Sequence, residues 1–336
     1  MKLKKYDKNP ILTAKGDSWE GLCVLNPAAI YDEKDDEFKM LYRAAGKDLT
    51  HYIHLGLAVS KDGYNFERVS DKPVLSPDPT GPDGGCEDPR LVKMGDYYYL
   101  TYACRTFAPG QYWRKDCGYF GFKPQEGPTM LLTNGSFTNL AVSSDLVNWK
   151  RLGRITDSRY DDRDVYIFPE KVEGKYVRIS RPMEWCGEGY ENEKPAIWIA
   201  FSDDLMEWGK PTLLMKGQEW WESAKIGGST PPVKCKYGWM MLYHGVAKKD
   251  GAYRVGAVIL DEKDPTKILA RTKDFVMEPE YPYETAGYYN GCVFPTGIVV
   301  KDGTMYVYYG AADKFVCVAT APFEEFCDQV YKEGKL

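Results

Sequence analysis

The stretches "HLGLAVSKDGYNF" (54–66), "TNLAVSSDLVNW" (138–149) and "AIWIAFSDDLMEW" (196–208) are three copies of one pattern: an alternating apolar run, a Ser, an acidic turn and a closing aromatic. Weaker copies stand at "YRVGAVILDEKDP" (253–265) and "FVCVATAPFEEF" (315–326), which makes five. Each follows a run of β-formers, "FKMLYRA", "YYYLTYA", "KYVRISRP", "GWMMLYHG" and "TMYVYYG", and so reads as the second member of a strand pair. Pairs recurring every ~40–70 residues predict an all-β chain folded as a five-bladed β-propeller, because so small a sheet buries its faces only against neighbouring blades. A β-sandwich would hold the strands but would not explain five recurrences of one pair with the same closing aromatic. No long amphipathic helix is expected, and a short terminal one at "PFEEFCDQVYKE".

No linker or low-complexity segment interrupts the pattern, so residues 1–336 are expected to form a single catalytic domain. A long insertion at about 106–139 carries Tyr112, Trp113, Tyr119 and Phe120; loops of that length serve as lids or contact surfaces. A net charge of -5 without Lys/Arg runs speaks against nucleic acid. The opening "MKLKKYDKNP" leads into no apolar segment and no apolar run reaches bilayer length, so a cytoplasmic protein away from membranes is expected. Nine scattered cysteines lack metal-ligand spacing and read as free thiols, with no metal site.

In a propeller the ends of the strands converge on one axis. Four partner-strand ends carry Arg43 ("LYRA"), Arg181 ("SRP"), His244 ("YHG") and Asp313 ("GAAD"), and titratable groups at matching places in four repeats favour a site. The stretch "GGCEDPRLVKMGDYYYLTY" (84–102) puts Glu87 and Asp88 just before a strand of the second repeat. By spacing alone an ordinary turn fits slightly better, since Asp-Pro is good turn chemistry and Arg90 could pair with either carboxylate.

"EDPRL", "DDRDVYIFPEKVEGKYVRISRP", "AKIGGSTPP", "WMMLYHGV", "YRVGAVILDEKDPTKILART" and "GCVFPTG" followed by "YYGAAD" together resemble glycoside hydrolase family 130, the β-mannoside phosphorylases and related β-mannosidases, over nearly the whole chain. The resemblance implies a five-bladed propeller, a catalytic acid at Asp88, and inorganic phosphate held by Arg163, Arg181, Lys225 and His244. It implies substrate-binding roles for Asn26, Arg43 and Asp313, and no cofactor beyond phosphate as co-substrate. The implied reaction is inverting phosphorolysis of β-D-mannosides to α-D-mannose 1-phosphate. That set is physically coherent. An inverting hydrolase needs a second carboxylate to activate water, whereas phosphate is already an anionic nucleophile and calls for cations. Arg90 is expected to point away from Asp88 into structure, and Glu87 to be scaffold. Ahead of "LGLAVS" stands His54, where many members have arginine. The rival readings are a β-mannosidase that uses water and a non-catalytic sugar-binding propeller; linkage, acceptor and homo-oligomer formation stay open.

Overall fold

The Ser-x-Asp of the repeated pattern is a hydrogen-bonded turn. The computed structural model describes residues 2–48, 50–78, 83–109 and 126–335. In it the Ser143 hydroxyl accepts the amides of Asp145 (3.1 Å) and Leu146 (2.9 Å), and Asp145 Oδ1 accepts those of Val147 (2.9 Å) and Asn148 (2.7 Å). Ser60 with Asp62 and Ser202 with Asp204 repeat the arrangement. Amides that a strand end would leave orphaned find side-chain acceptors locally, so the strand stops and the chain turns. Trp149 and Trp208 close their turns by donating to the carbonyls of Leu146 and Leu205.

Five antiparallel sheets follow in sequence. Blade I is Cys23–Asp32, Glu37–Ala45, Ile53–Ser60 and Glu67–Arg68; blade II is Glu87–Met94, Tyr97–Arg105, Ser136–Ser143 and Lys150–Arg154. Blade III is Asp162–Ile167, Tyr176–Pro182, Ile197–Ser202 and Thr212–Met215. Blade IV is Lys225–Gly228, Gly238–Val246, Tyr253–Leu260 and Ile268–Arg271, with Val233–Cys235 also on its second strand. Blade V is Val293–Lys301, Thr304–Ala311 and Phe315–Pro322, completed by the N-terminal strand Lys4–Lys5, which pairs Lys4 with Thr320. This is the expected five-bladed propeller, its last blade built from both ends of the chain. The helix at Phe323–Gly334 falls where expected and buries Phe323, Phe326, Cys327 and Val330 against Met240, Ile259 and Met305. No helix among the described residues is long and apolar enough to cross a membrane.

The strand-pair reading captures the middle of each blade and misses the innermost strand. "EDPRL" opens the strand Glu87–Met94; it is not a turn ahead of one. The cause is a bulge near the start of these strands: the register slips between Leu25 and Ala28, Glu87 and Arg90, Arg163 and Tyr166, and Pro295 and Gly297, which breaks the alternation that marks a strand. Asn26 (φ 44°), Asp88 (φ 47°) and Asp164 (φ 60°) occupy the bulge in blades I, II and III. Asn and Asp are the residues with side chains that best tolerate this left-handed backbone.

A buried tyrosine–glutamate–cation unit fastens three blades. Tyr42 donates to Glu20 (3.0 Å), Tyr243 to Glu222 (2.7 Å) and Tyr309 to Glu284 (2.8 Å). The outermost strands answer with Arg68 (2.7 Å), Arg271 (2.7 Å) and Lys5 (2.8 Å). Gly56 and Gly256 are glycines because a Cβ there would stand 2.3 and 2.5 Å from the rings of Tyr42 and Tyr243. The Lys5–Glu284 pair clamps the ring where the chain ends meet, and its side chains are only 5% and 0% exposed. Lys5→Ala should destabilise the fold by about 3 kcal/mol, the low end for breaking a buried pair, because Glu284 keeps the amides of Glu280 and Tyr281 and the Tyr309 hydroxyl. Urea unfolding measures this; a loss no larger than that of the exposed Lys4→Ala would show that the clamp does not close the ring.

Candidate active site

The bulges and the second-strand ends meet at one cavity of about 610 Å³, with lining residues from all five blades. Each residue given a catalytic, phosphate-binding or substrate-binding role from the sequence lines it: Asn26, Arg43, Asp88, Arg163, Arg181, Lys225, His244 and Asp313. Glu87, Arg105, Asp164, Tyr253, Tyr289, Cys292 and Phe294 complete the lining.

Blades I, II and V form an acidic half. Asp88 Oδ1 accepts both Asn26 Nδ2 and Arg43 Nη1 at 2.7 Å, and its second oxygen makes no hydrogen bond to the described residues. Glu87 takes Arg105 at 2.7 Å and Arg43 at 3.3 Å. Burial opposes the charge on Glu87, but Arg105, Arg43 and Arg163 outweigh it and hold its carboxyl down to about 2. Glu87 is thus the counter-ion that positions Arg43 as well as part of the scaffold. Asp313 is pushed up to about 6, by burial first and by the charges of Asp88 and Glu87, against the pull of Arg43. Asn26 Oδ1 and Arg43 Nε are buried without a hydrogen-bond partner among the described residues.

Blades III and IV form the opposite half. Arg163 lays a two-pronged pair on Asp161 (Nε 3.0 Å, Nη2 2.6 Å). Arg181 donates through Nε to Asp164 Oδ2 at 2.9 Å. His244 faces Asp164 Oδ2 through Nε2 at 3.6 Å and the Ser229 hydroxyl through Nδ1 at 3.3 Å, its ring stacked on Tyr253. Lys225 is drawn down to about 8 by burial and by the neighbouring Arg181. Burial, then the cations Arg181 and Lys225 against the pull of Asp164, take His244 to about 3. The expected four cations are therefore three cations and a neutral imidazole at neutral pH. Carboxylates are also present, behind the arginines at Asp161 and Asp164, where they orient the guanidiniums.

Arg90 points away from the Asp88 carboxylate, as expected. It donates to the carbonyls of Asp88 (2.9 Å) and Ser229 (3.0 Å), faces Asp164 Oδ1 at 3.5 Å and lies over the Phe294 ring. Sequence reasoning missed the lining residues Tyr253, Tyr289, Cys292 and Phe294 and two charged ones, Arg105 and Asp164. Arg105 ends "YYYLTYACR", two residues beyond Ala103, which takes in blade II the place of Arg43 in blade I and Arg181 in blade III. Asp164 is the bulge residue of "DRDVY", matching Asp88 of "EDPRL". His54 lies outside the lining, against the Ser76 hydroxyl (3.0 Å) and edge-on to Trp19. Tyr112, Trp113, Tyr119 and Phe120 lie outside the described residues.

An acid with one unengaged oxygen, opposite a seat of guanidinium and ammonium groups, suits transfer of a sugar to an anionic nucleophile. The family model for glycoside hydrolase family 130, described as beta-1,4-mannooligosaccharide phosphorylase, matches residues 2–119 and 129–332, and the chain belongs to that family. It is 39% identical over 326 residues to a 1,2-beta-oligomannan phosphorylase of Thermoanaerobacter sp. (strain X514), covering 95% of this chain and 97% of the relative. A beta-1,2-mannobiose phosphorylase of the same strain is 35% identical over 338 residues, covering 97% and 99%. Among solved structures, the beta-1,2-mannobiose phosphorylase of Listeria innocua in complex with beta-1,2-mannobiose superposes with a TM-score of 0.79 at 26% identity, covering 99% of this chain and 100% of that one.

With only three histidines in the chain, the His244 imidazole can be followed by NMR. Its ring signals should hold still from pH 5 to 8, because protonation waits until about 3. A midpoint inside that window would contradict the neutral-imidazole site.

Proposed function

We propose that this chain is an inverting β-mannoside phosphorylase acting on β-1,2-linked mannosides. The observation that carries the reading is the divided cavity, with Asp88 on one side and Arg163, Arg181, Lys225 and His244 on the other. Phosphate carries about 1.5 to 2 negative charges at neutral pH, and arginine forks give its oxygens geometry as well as charge. The β-1,2 preference is supported by the names of the relatives at 39% and 35% identity.

In this reading a phosphate oxygen attacks the anomeric carbon of the terminal mannosyl unit from the face opposite the leaving group. The new C–O bond forms as the glycosidic C–O bond breaks. Asp88 gives its proton to the departing oxygen, directly or through a sugar hydroxyl, and is left as the carboxylate that Asn26 and Arg43 already hold. The products are α-D-mannose 1-phosphate and the shortened acceptor. Buried atoms without partners among the described residues, Asn26 Oδ1 and Arg43 Nε, are suited to sugar hydroxyls, as is Asp313. The pairing of strand Lys4–Lys5 with strand Phe315–Pro322 supports one propeller over the described residues, and the free thiols of the eight described cysteines support a cytoplasmic location. The expected insertion ends before residue 136, where the third strand of blade II begins, and the segment between Arg105 and Ser136 then bears on acceptor choice or contact between copies.

Hydrolysis is the second reading, favoured by one feature: Asp313 is a further carboxylate in the cavity and could serve as the base that activates water. Phosphate dependence separates the two. Cleavage of β-1,2-mannobiose should require inorganic phosphate, and an equal rate with phosphate rigorously removed would make the enzyme a hydrolase. Asp88→Asn should lower turnover by about 10²–10⁴-fold while phosphate binding persists. A wild type that binds mannosides and turns none over would be a sugar-binding propeller.

The cradle also predicts a pH limb. Lys225 is charged below about 8 and loses its charge above it, so the KM for phosphate should climb as pH rises through that value. The limb should move to higher pH in Lys225→Arg, because a guanidinium keeps its charge. An unmoved limb would remove Lys225 from the phosphate site.

A further inference from the structure

We propose that Asp164 is the positioning residue of the phosphate seat, holding Arg181 and His244 in place and, through Arg90, tying that seat to the peptide of Asp88. The inference rests on the phosphorylase reading and adds a residue that neither the motifs nor the family resemblance supplied. Asp164 sits in the left-handed bulge of blade III, the place that Asp88 takes in blade II, and is 4% exposed. Its two oxygens face different ways. Oδ2 takes Arg181 Nε at 2.9 Å and faces His244 Nε2 at 3.6 Å; Oδ1 faces Arg90 Nη2 at 3.5 Å, and Arg90 Nη1 donates to the Asp88 carbonyl at 2.9 Å. One carboxylate thus links the groups meant for phosphate to the backbone of the acid.

A carboxylate inside an anion seat would repel the ligand if its charge were free. Here two guanidiniums, Arg181 and Arg90, share it: Arg181 gives it both Nε and Nη2, while its Nη1 turns to the Met183 sulfur. The chain also makes room for it. At Gly227 a Cβ would stand 2.5 Å from Asp164 Oδ2 and 2.5 Å from His244 Cε1, so the glycine of "AKIGG" is the space into which both side chains fit.

The test is a split in Michaelis constants. Asp164→Asn removes the charge at nearly constant shape and should raise the KM for phosphate by about tenfold or more, the scale on which outer-shell partners act, while the KM for β-1,2-mannobiose moves less than about threefold. Isothermal titration with inorganic phosphate alone should show the same loss of affinity without turnover. A merely structural residue would lower the unfolding midpoint and the active fraction but leave both Michaelis constants of the folded enzyme unchanged, and that result would overturn the proposal. Gly227→Ala keeps the Asp164 charge but displaces it, and should raise the phosphate KM selectively even if Asp164→Asn fails to fold. If the wild type binds phosphate without turning over mannoside, the phosphorylase reading falls and the titration still judges Asp164. If turnover is phosphate-dependent and both variants keep the wild-type phosphate KM, only the role of Asp164 falls.

Discussion

A guanidinium buried among four blades sets their spacing. Arg90 is 2% exposed, and a charge so deep is tolerated only when its N–H groups are filled. They are filled by the Asp88 carbonyl of its own blade II, by Asp164 of blade III and by the Ser229 carbonyl that follows the first strand of blade IV; the Phe294 ring of blade V lies against the guanidinium face. Moving any of these blades outward would strip a partner from a buried charge. The acid of blade II and the cation seat of blades III and IV are therefore held at a fixed separation.

The same bulge serves fold and chemistry. A register slip near the start of an innermost strand lifts one residue out of the ladder, and Asn26, Asp88 and Asp164 all accept the left-handed backbone this requires. Environment then divides the carboxylates. Glu87, between Arg105 and Arg43, is held down to about 2, whereas Asp313, buried beside Asp88 and Glu87, rises to about 6. Asp164, buried yet facing Arg181, His244 and Arg90, stays ionised. Carboxylates in one cavity acquire separate behaviour from their neighbours: Glu87 and Asp164 are held as counter-ions of arginines, while Asp313 is pushed toward its neutral form.

The middle strands were legible because they repeat: Ser60, Ser143 and Ser202 each begin the same turn after an alternating apolar run. The innermost strands were not, because the bulge and its Asn-Pro or Asp-Pro imitate a loop. The same imitation made "EDPR" read as a turn. Four site residues at second-strand ends were legible by position, while Arg105 was hidden at the start of the insertion. Asp164 was hidden beside Arg163, whose charge drew the reading of "DDRD". The neutrality of His244 depends on burial and on Arg181 and Lys225, neighbours that only folding provides.

The central claim is that the cavity is divided, with an acid on one side and a phosphate seat on the other. The structure of the protein with inorganic phosphate bound tests it most directly. Phosphate should lie against Arg163, Arg181, Lys225 and His244, away from the Asp88 carboxylate. Phosphate bound instead at Arg43 and Arg105, with the blade III and IV side empty, would contradict the account.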